Sequence, residues 1–265
     1  MAEPYYKQHW IEIDPERHAA YDQILAFHPA MEPILRPLEL RAGLRVLDVG
    51  SGPGHTTLEL ARRVGPSGKV TGVDINAEFV ARSAARAREQ KSNVEFVHSG
   101  FPPLLFPDGS FDRVFCKNVL EYVDSAPATV AEMARVAAPG GIVVAVDSDW
   151  DMLALDLGPE AGELTERVLA ASKSIAIKEP KIGRRLFGMF RAAGLDDVKA
   201  EILAGADTAG RSLPMLKSSL ARYARDSGRV SAQEVERWLV SVDKAIASGR
   251  FFFVLPQFIV RGTKP

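Results

Sequence analysis

The stretch that decides the fold is VLDVGSGPGH, which occupies residues 46–55. Its first half is a short apolar run that ends in glycine, the pattern of a buried parallel strand. Glycines then stand at positions 50, 52 and 54, and HTTLELARRV follows with the apolar spacing of a helix. A strand, a glycine turn and a helix in this order present backbone amides and a favourable field to a nucleotide-type ligand.

The spacing of the glycines separates this turn from two common nucleotide-binding motifs. A dinucleotide fingerprint needs its third glycine at position 55, where this chain has His55, and no Gly-Lys-Ser/Thr follows to make a P-loop. Asp74 ends the next predicted strand, 20 residues after Gly54. An acidic side chain at that point can accept hydrogen bonds from both hydroxyls of a ribose. The pair therefore predicts an adenosine site that lacks the usual pyrophosphate geometry.

Outside this turn, strand and helix patterns alternate between residues 44 and 150. The strand patterns are RVLDVG, KVTGVDIN, NVEFVHSG, SFDRVFCKN and IVVAVDSDW. This alternation predicts an α/β protein with a doubly wound, mostly parallel sheet, right-handed crossovers and helices on both faces.

The two flanks follow other patterns. Residues 1–40 begin with an aromatic cluster and continue into two short predicted helices that prolines separate. Beyond residue 150 the patterns predict mainly helices, a strand at DVKAEILAG and a last strand through RFFFVLPQFIVRG. Pro256 lies within that last strand and cannot donate to a ladder, so it should mark a bulge or an edge.

Composition and charge exclude several classes of protein. The chain has 265 residues, 46% of them hydrophobic and 25% charged, which suits one large domain with a core. Its 33 basic and 34 acidic residues give a net charge of −1, which argues against nucleic-acid and anionic-membrane partners. A single cysteine, Cys116, can make neither an internal disulfide nor a Cys-rich zinc site, and we expect no metal. Neither a signal peptide nor an apolar run of ~18 residues is present, so we expect a cytoplasmic protein.

The motifs together resemble the class I S-adenosylmethionine-dependent methyltransferases, most closely the ubiquinone/menaquinone-biosynthesis type and other small-molecule members. The matching segments are VLDVGSGPGHTTLELA, VTGVDIN, FPDGSFDRVFCKNVLEYV and EMARVAAPGGIVVAVD. The resemblance implies a Rossmann-like, seven-stranded sheet with a reversed C-terminal strand and helical cap insertions. It also implies S-adenosyl-L-methionine as the cofactor and in-line methyl transfer to an O, N or C atom of a small molecule.

This resemblance divides the chain into parts of one methyltransferase domain, residues 1–265. We expect an N-terminal helical lid at 1–40, a cofactor-binding core at 44–150, and C-terminal strands with a helical substrate cap at 151–265. Insertions of the last kind are where a shared fold varies its specificity.

Roles at the methionine end of the cofactor follow from the matching positions. The resemblance places Gly50, Ser51 and Gly52 against the methionine part and its carboxylate. Asn118, after the fourth strand, faces the same end. Asp48 either orders the turn or contacts the amino group through water.

Roles at the adenosine end follow in the same way. Asp74 holds the ribose hydroxyls, and Ile75 packs on the adenine. Related proteins often carry an acidic residue that binds the adenine amino group, whereas this chain has Gly100 at that position. We therefore expect a backbone contact there, with Phe101 packing on the ring.

Candidates for the acceptor side follow the fourth and fifth strands. The segment DSDWD at 147–151 contains Asp149 and Trp150, an acid and a ring that suit a substrate contact. Its alternative role is helix capping and solvation. Tyr122, after the fourth strand, is a further substrate candidate. If the acceptor must lose a proton, Asp149 is a candidate base.

The aromatic N-terminus supplies the other candidate bases, Tyr6 and His9. It is either a packing anchor or a lid over the cofactor.

Three other functions remain open from the sequence alone. A methyltransferase on nucleic acid or protein is one, although nucleic-acid amino-methyltransferases typically carry Asn/Asp-Pro-Pro-aromatic where residues 118–121 read NVLE. An NAD(P) oxidoreductase is another, and His55 opposes it. A non-catalytic S-adenosylmethionine-binding protein would carry the same motifs.

Overall fold

The computed structural model describes residues 4–211 and 213–265. Its strands are β1 Arg45–Val49, β2 Lys69–Asp74, β3 Val94–His98, β4 Phe111–Lys117, β5 Ala137–Ser148, β6 Ala154–Asp156, β7 Asp196–Leu203, β8 Phe252–Val254 and β9 Gln257–Thr263. Its α-helices are α1 Tyr5–Ile11, α2 Pro15–Ile24, α3 Glu32–Leu35, α4 His55–Val64, α5 Ala77–Glu89, α6 Ala126–Val136, α7 Gly162–Ala176, α8 Ile182–Ala192, α9 Leu213–Asp226 and α10 Ala232–Ala247. None of the helices in these ranges has the length and apolar character that a membrane crossing requires.

Seven strands form the main sheet in the order β3-β2-β1-β4-β5-β9-β7. Strands β1 to β5 pair in parallel, and β9 runs antiparallel to both β5 and β7. The predicted doubly wound, mostly parallel sheet with a reversed C-terminal strand is confirmed. The strand order reverses between β1 and β4, which is where open α/β sheets bind their ligands, beyond the carboxyl ends of the strands.

Apolar side chains cover both faces of this sheet. One face packs on α6 and α8 through Met133, Leu186 and Phe190, which are fully buried. The other face packs on α3 and α4 through Leu35 and Leu60. Burying each such side chain contributes roughly 1.5–3 kcal/mol, so β1 and its glycine turn stand on a rigid support.

The C-terminal strand pattern is split, in contrast to the single strand predicted through Pro256. Because Pro256 has no amide hydrogen, the ladder cannot continue through it. The residues before it form β8, which pairs with β6 in a separate two-stranded sheet, and the residues after it form β9. A second apolar cluster, around Trp238 and Phe251, joins this small sheet to α7, α9 and α10.

The N-terminal segment is tied to the helix that leaves the glycine turn. Asp22 on α2 lies 2.8 Å from His55 Nε2 and accepts a hydrogen bond from Arg86 at 2.7 Å. Burial would raise the pKa of Asp22, but bonds from Arg86 and His55 hold it below its usual value. The side chain of His55 thus contacts α2.

Candidate functional site

A cavity of about 490 Å³ opens where β1, β2, β4 and β5 end. Its volume falls within the roughly 300–1,000 Å³ typical of small-molecule sites. Two groups of lining residues come from different parts of the chain. We call one the glycine wall, formed by Gly50, Gly52, Asp74, Ile75, Phe101 and Asn118. We call the other the aromatic wall, formed by Trp10, Tyr21, Tyr122, Trp150, Tyr223 and Phe253.

Two glycines of the turn are required for different reasons. Gly50 has φ +75°, and a Cβ there would lie 2.2 Å from Cγ2 of Val119. Gly52 has φ +52°, but a Cβ there would meet nothing within 4 Å. Since Gly52 lines the cavity, its open side lets a ligand approach the backbone closely.

Asp74 ends β2 with its carboxylate fixed by backbone amides. Oδ2 accepts a hydrogen bond from Gly52 N at 2.7 Å, and Oδ1 accepts one from Asn76 N at 2.8 Å. A carboxylate has about four lone-pair positions, so acceptor capacity remains for a ligand. Burial raises the pKa of Asp74 above its usual value, and the amide bonds oppose that shift. Asp74 therefore presents a fixed acceptor to the cavity.

Two residues that were predicted to contact the cofactor, Asp48 and Ser51, lie behind the glycine wall. Buried Asp48 accepts a 2.6 Å hydrogen bond from Thr57 Oγ1, which joins β1 to α4, and burial raises its pKa to about 7. Ser51 lies against β2, where its Cβ would come within 2.9 Å of a Cβ at Gly72. Its hydroxyl has no hydrogen-bond partner among the described residues. Neither side chain lines the cavity, so the geometry favours a turn-ordering role for Asp48.

Two of the three residues predicted for the adenine line the cavity. Ile75 and Phe101 line it, together with Phe79. Gly100 does not, and a Cβ built there would lie 3.9 Å from Cδ1 of Ile75. A backbone contact from Gly100 to an adenine stays a prediction.

Asn118 reaches the cavity through a left-handed backbone conformation, φ +53°. Its backbone N–H donates to Val146 O at 2.8 Å, and its side-chain oxygen accepts from Gln257 Nε2 at 3.0 Å. Gln257 also lines the cavity, although no sequence pattern singled it out. A hydrogen bond from the first residue of β9 thus holds the side-chain amide of Asn118, directly after β4.

His9, predicted as a base, lies behind the aromatic wall. Its ring centroid is 5.6 Å from that of Tyr122 and 5.3 Å from that of Tyr223, and the ring does not line the cavity. Nδ1 lies 2.6 Å from Tyr5 O, while Nε2 is buried with no partner in the described chain. Burial lowers the pKa of His9 to about 4, so the imidazole is neutral at pH 7. The structure therefore corrects its role to that of a packing residue.

The other two candidate bases are engaged elsewhere. Tyr6 donates a hydrogen bond to Asp124 at 2.9 Å and does not line the cavity. Asp149 is fully buried and accepts hydrogen bonds from Arg184 Nη2 at 2.6 Å and Nε at 2.7 Å. This bidentate ion pair fastens α8 to the end of β5, so Asp149 is neither a base nor a substrate contact here.

The remaining predicted substrate residues do reach the cavity. Tyr122 and Trp150 both line it, and Trp150 Nε1 donates to the carboxylate of Glu121. Glu121 and Lys117 line it too, and neither was predicted. A usable signal exists: Lys117 is a charged residue at the end of a buried strand, and Glu121 is a second charged residue four positions later.

Comparison with known proteins matches residues 46–141 to the family model described as a methyltransferase domain. The chain is 30% identical over 231 residues to an uncharacterised 37.1 kDa protein of a Streptomyces fradiae transposon, covering 86% of this chain and 64% of that protein. It is 40% identical over 110 residues to the ubiquinone/menaquinone biosynthesis C-methyltransferase UbiE of Hahella chejuensis, covering 41% of this chain and 44% of that protein. The chain thus spans less than two thirds of either relative.

A solved structure shows the same fold over the whole chain. Phosphoethanolamine N-methyltransferase 2 of Haemonchus contortus, determined with S-adenosyl-L-methionine, superposes with a TM-score of 0.64. The sequences are 17% identical, and the match covers 100% of this chain and 60% of that protein. At this identity the likeness concerns the fold.

Proposed function

Residues 46–141 are a methyltransferase domain of the class I fold, and from that premise we propose that this chain transfers a methyl group from S-adenosyl-L-methionine to a small molecule. One observation carries the proposal: the glycine turn, Asp74 and the aromatic wall all border a single cavity. The glycine wall suits a nucleoside with an amino-acid tail. The aromatic wall suits an apolar or flat acceptor beside it.

The residues of the glycine wall fit this cofactor. Asp74 has acceptor capacity for the ribose hydroxyls, and Ile75 and Phe101 offer apolar surface to the adenine. The open backbone at Gly52 and the side chain of Asn118 would hold the methionine end. When bound, S-adenosyl-L-methionine supplies a methyl group that its sulfonium charge already activates.

The chain's own contribution is alignment and exclusion of water. Trp10 and Tyr21 bring α1 and α2 to the cavity, while Tyr223 brings α9 and Phe253 brings β8. Closing these elements over the acceptor would fix its nucleophilic atom in line with the methyl group. We therefore assign residues 1–40 to a lid, and residues 151–265 to C-terminal strands with a helical substrate cap.

A small-molecule acceptor is supported by two observations. The relative from Hahella chejuensis carries the name of a ubiquinone/menaquinone C-methyltransferase, an enzyme of small-molecule biosynthesis. The net charge of −1 offers no excess of basic groups for a polyanion.

A transfer assay tests the proposal. The protein is incubated with methyl-labelled S-adenosyl-L-methionine and a panel of phenols, quinols, amines and carboxylic acids. We expect label in the product of at least one class, and Asp74→Ala should lower that transfer. The exposed-site variant Glu95→Gln should leave transfer unchanged. Binding of S-adenosylhomocysteine without any labelled product would contradict catalysis.

A further inference from the structure

One carboxyl group of the cavity is left unassigned by the fold and by the cofactor contacts. Glu121 follows Asn118 by three positions in the loop after β4, and both line the cavity. Glu121 as a whole residue is 1% exposed. Trp150 Nε1 and the hydroxyl of Tyr122 donate to its carboxylate. Hydrogen bonds from Trp150 and Tyr122 thus fix a buried carboxyl group beside the predicted site for the methionine end of the cofactor.

The charges around Glu121 leave more than one carboxylate without compensation. Asp147 faces it from β5, and Lys117, which also faces Asp48, lies at the end of β4. Asp147 Oδ2 accepts from Leu120 N at 3.2 Å, whereas Oδ1 is buried with no partner in the described chain. Three carboxyl groups, those of Glu121, Asp147 and Asp48, share a single ammonium, so the cluster retains a proton in the absence of a further cation.

The pKa shifts of Glu121 and Asp147 agree with this arrangement. Burial, and then the charge of Asp147, raises the pKa of Glu121 well above its usual value. Burial also raises the pKa of Asp147 to about 7. Toward the cavity, Tyr122 faces Tyr21 and Tyr223, and burial raises the pKa of Tyr223 to about 12, so that hydroxyl stays neutral.

We propose that Glu121 is the catalytic residue that takes the proton released by the methyl acceptor. The inference rests on the proposed function and deepens it. Ionised Glu121 accepts the proton of an acceptor O–H, N–H or C–H group at its carboxylate. The methyl group's bond to sulfur breaks as its bond to the acceptor forms, and the electron pair of the broken bond stays on sulfur. Glu121 then passes its proton to solvent.

Other carboxylates near the cavity are less suited to this role. Asp149 is committed to Arg184, and Asp74 to backbone amides. Asp124 lines the cavity, but its side chain is 54% exposed and accepts from Lys7 at 3.1 Å and from Tyr6 at 2.9 Å. Glu121 combines deep burial with a place in the lining.

The proposal predicts a proton linkage that needs no acceptor. S-adenosylmethionine carries a positive sulfur, whereas S-adenosylhomocysteine lacks that charge and one methyl group. A cation beside Glu121 favours its ionised form. Glu121 should therefore release more proton when S-adenosylmethionine binds than when S-adenosylhomocysteine binds. Asp74, at the predicted ribose, should respond equally to both ligands.

Calorimetry near pH 7.5 in two buffers of different ionisation enthalpy measures this linkage. For the wild-type protein we expect S-adenosylmethionine to release more proton, by up to about one per site. Glu121→Gln should bind both ligands without that difference. Glu95→Gln, which changes an exposed carboxylate on β3, should retain it.

Each other outcome is decisive. Equal proton release by wild-type protein with both ligands, or a difference that persists in Glu121→Gln, overturns the role of Glu121. Failure of the wild-type protein to bind either ligand instead overturns the proposed function itself. Should Glu121→Gln not fold, the wild-type affinity ratio of S-adenosylmethionine to S-adenosylhomocysteine replaces it. That ratio should rise with pH, and a flat ratio contradicts the proposal.

Discussion

The two walls of the cavity are built by different means. The glycine wall comes from residues 50–118, where backbone conformation and strand ends place each group. The aromatic wall joins Trp10 to Phe253 and depends on how α1, α2, α9 and β8 pack against each other. The proposed cofactor would fix the requirements on the first wall, because its groups belong to the backbone turn and the strand ends. The second can change its side chains without disturbing the turn, which suits selection of an acceptor.

The largest expected effect tests the backbone origin of the glycine wall. Gly50→Ala adds a Cβ that would lie 2.2 Å from Val119, in addition to the strain of φ +75°. We expect a loss of about 3 kcal/mol or more in the free energy of unfolding by urea. Gly52→Ala meets no atom within 4 Å and should lose only about 1 kcal/mol, from strain at φ +52°. Equal losses would contradict the steric account.

The next prediction uses the pH dependence of stability to test whether His9 is buried as a neutral ring behind the aromatic wall. The pKa of His9 is about 4 in the folded state and 6.5 without burial. Its contribution to stability is therefore complete above pH 6.5 and is lost as the pH falls toward 4. Between pH 7.5 and 4.5 this loss is about 2–3 kcal/mol. Urea unfolding at both pH values measures this loss. The free energy of unfolding should fall by about 2–3 kcal/mol less in His9→Gln than in the wild-type protein. The same fall in both proteins would refute the buried neutral imidazole.

The third prediction concerns the glycine wall and is tested by measuring ligand affinity in a variant of Asp74. Asp74→Ala should weaken S-adenosylhomocysteine binding by about 1–3 kcal/mol, because it removes charge-assisted acceptors for hydroxyls. Calorimetry measures the change, and circular dichroism checks the fold. Glu95→Ala, an exposed carboxylate on the neighbouring strand, serves as the control. Unchanged affinity in a folded Asp74→Ala would remove the ribose assignment.

The contrast between the walls explains what sequence could predict. Asp74 ends a buried strand and Asn118 follows one, at positions that a local motif marks. The fold and the glycine wall could therefore be predicted from the sequence. Trp150 and Tyr122 could be predicted for the same reason. Trp10 and Tyr223 reach the cavity only through tertiary packing, which no local period encodes. Asp149 was misassigned because its partner Arg184 lies 35 positions later.

Helix α1 shows the same limit at the level of secondary structure. Tyr5–Ile11 has no side-chain N-cap, and only His9 is buried among its residues. Its contacts are long-range: Tyr5 donates to Asp226 at 2.5 Å and meets Tyr223 edge-on at 5.9 Å. Tertiary contacts of this kind stabilise a short helix that an isolated peptide would not form.

The smallest expected effect is on cofactor binding when the aromatic wall changes. Tyr223→Phe keeps the ring but removes a hydroxyl that faces Arg222. Because the ring lies on α9 and belongs to the aromatic wall, we expect affinity for S-adenosylhomocysteine to change by less than about 3-fold, or ~0.7 kcal/mol. Methyl transfer should fall further than binding. A loss of affinity as large as that of Asp74→Ala would show that the walls are not separate in function.

The most direct test of the central claim is calorimetric titration of the wild-type protein with S-adenosylhomocysteine and, separately, with NAD. The glycine turn and Asp74 together predict one molecule of S-adenosylhomocysteine bound per chain and no measurable binding of NAD. Binding of NAD in preference, or the absence of any heat with S-adenosylhomocysteine, would contradict the claim that the glycine wall holds a methyl-donor cofactor.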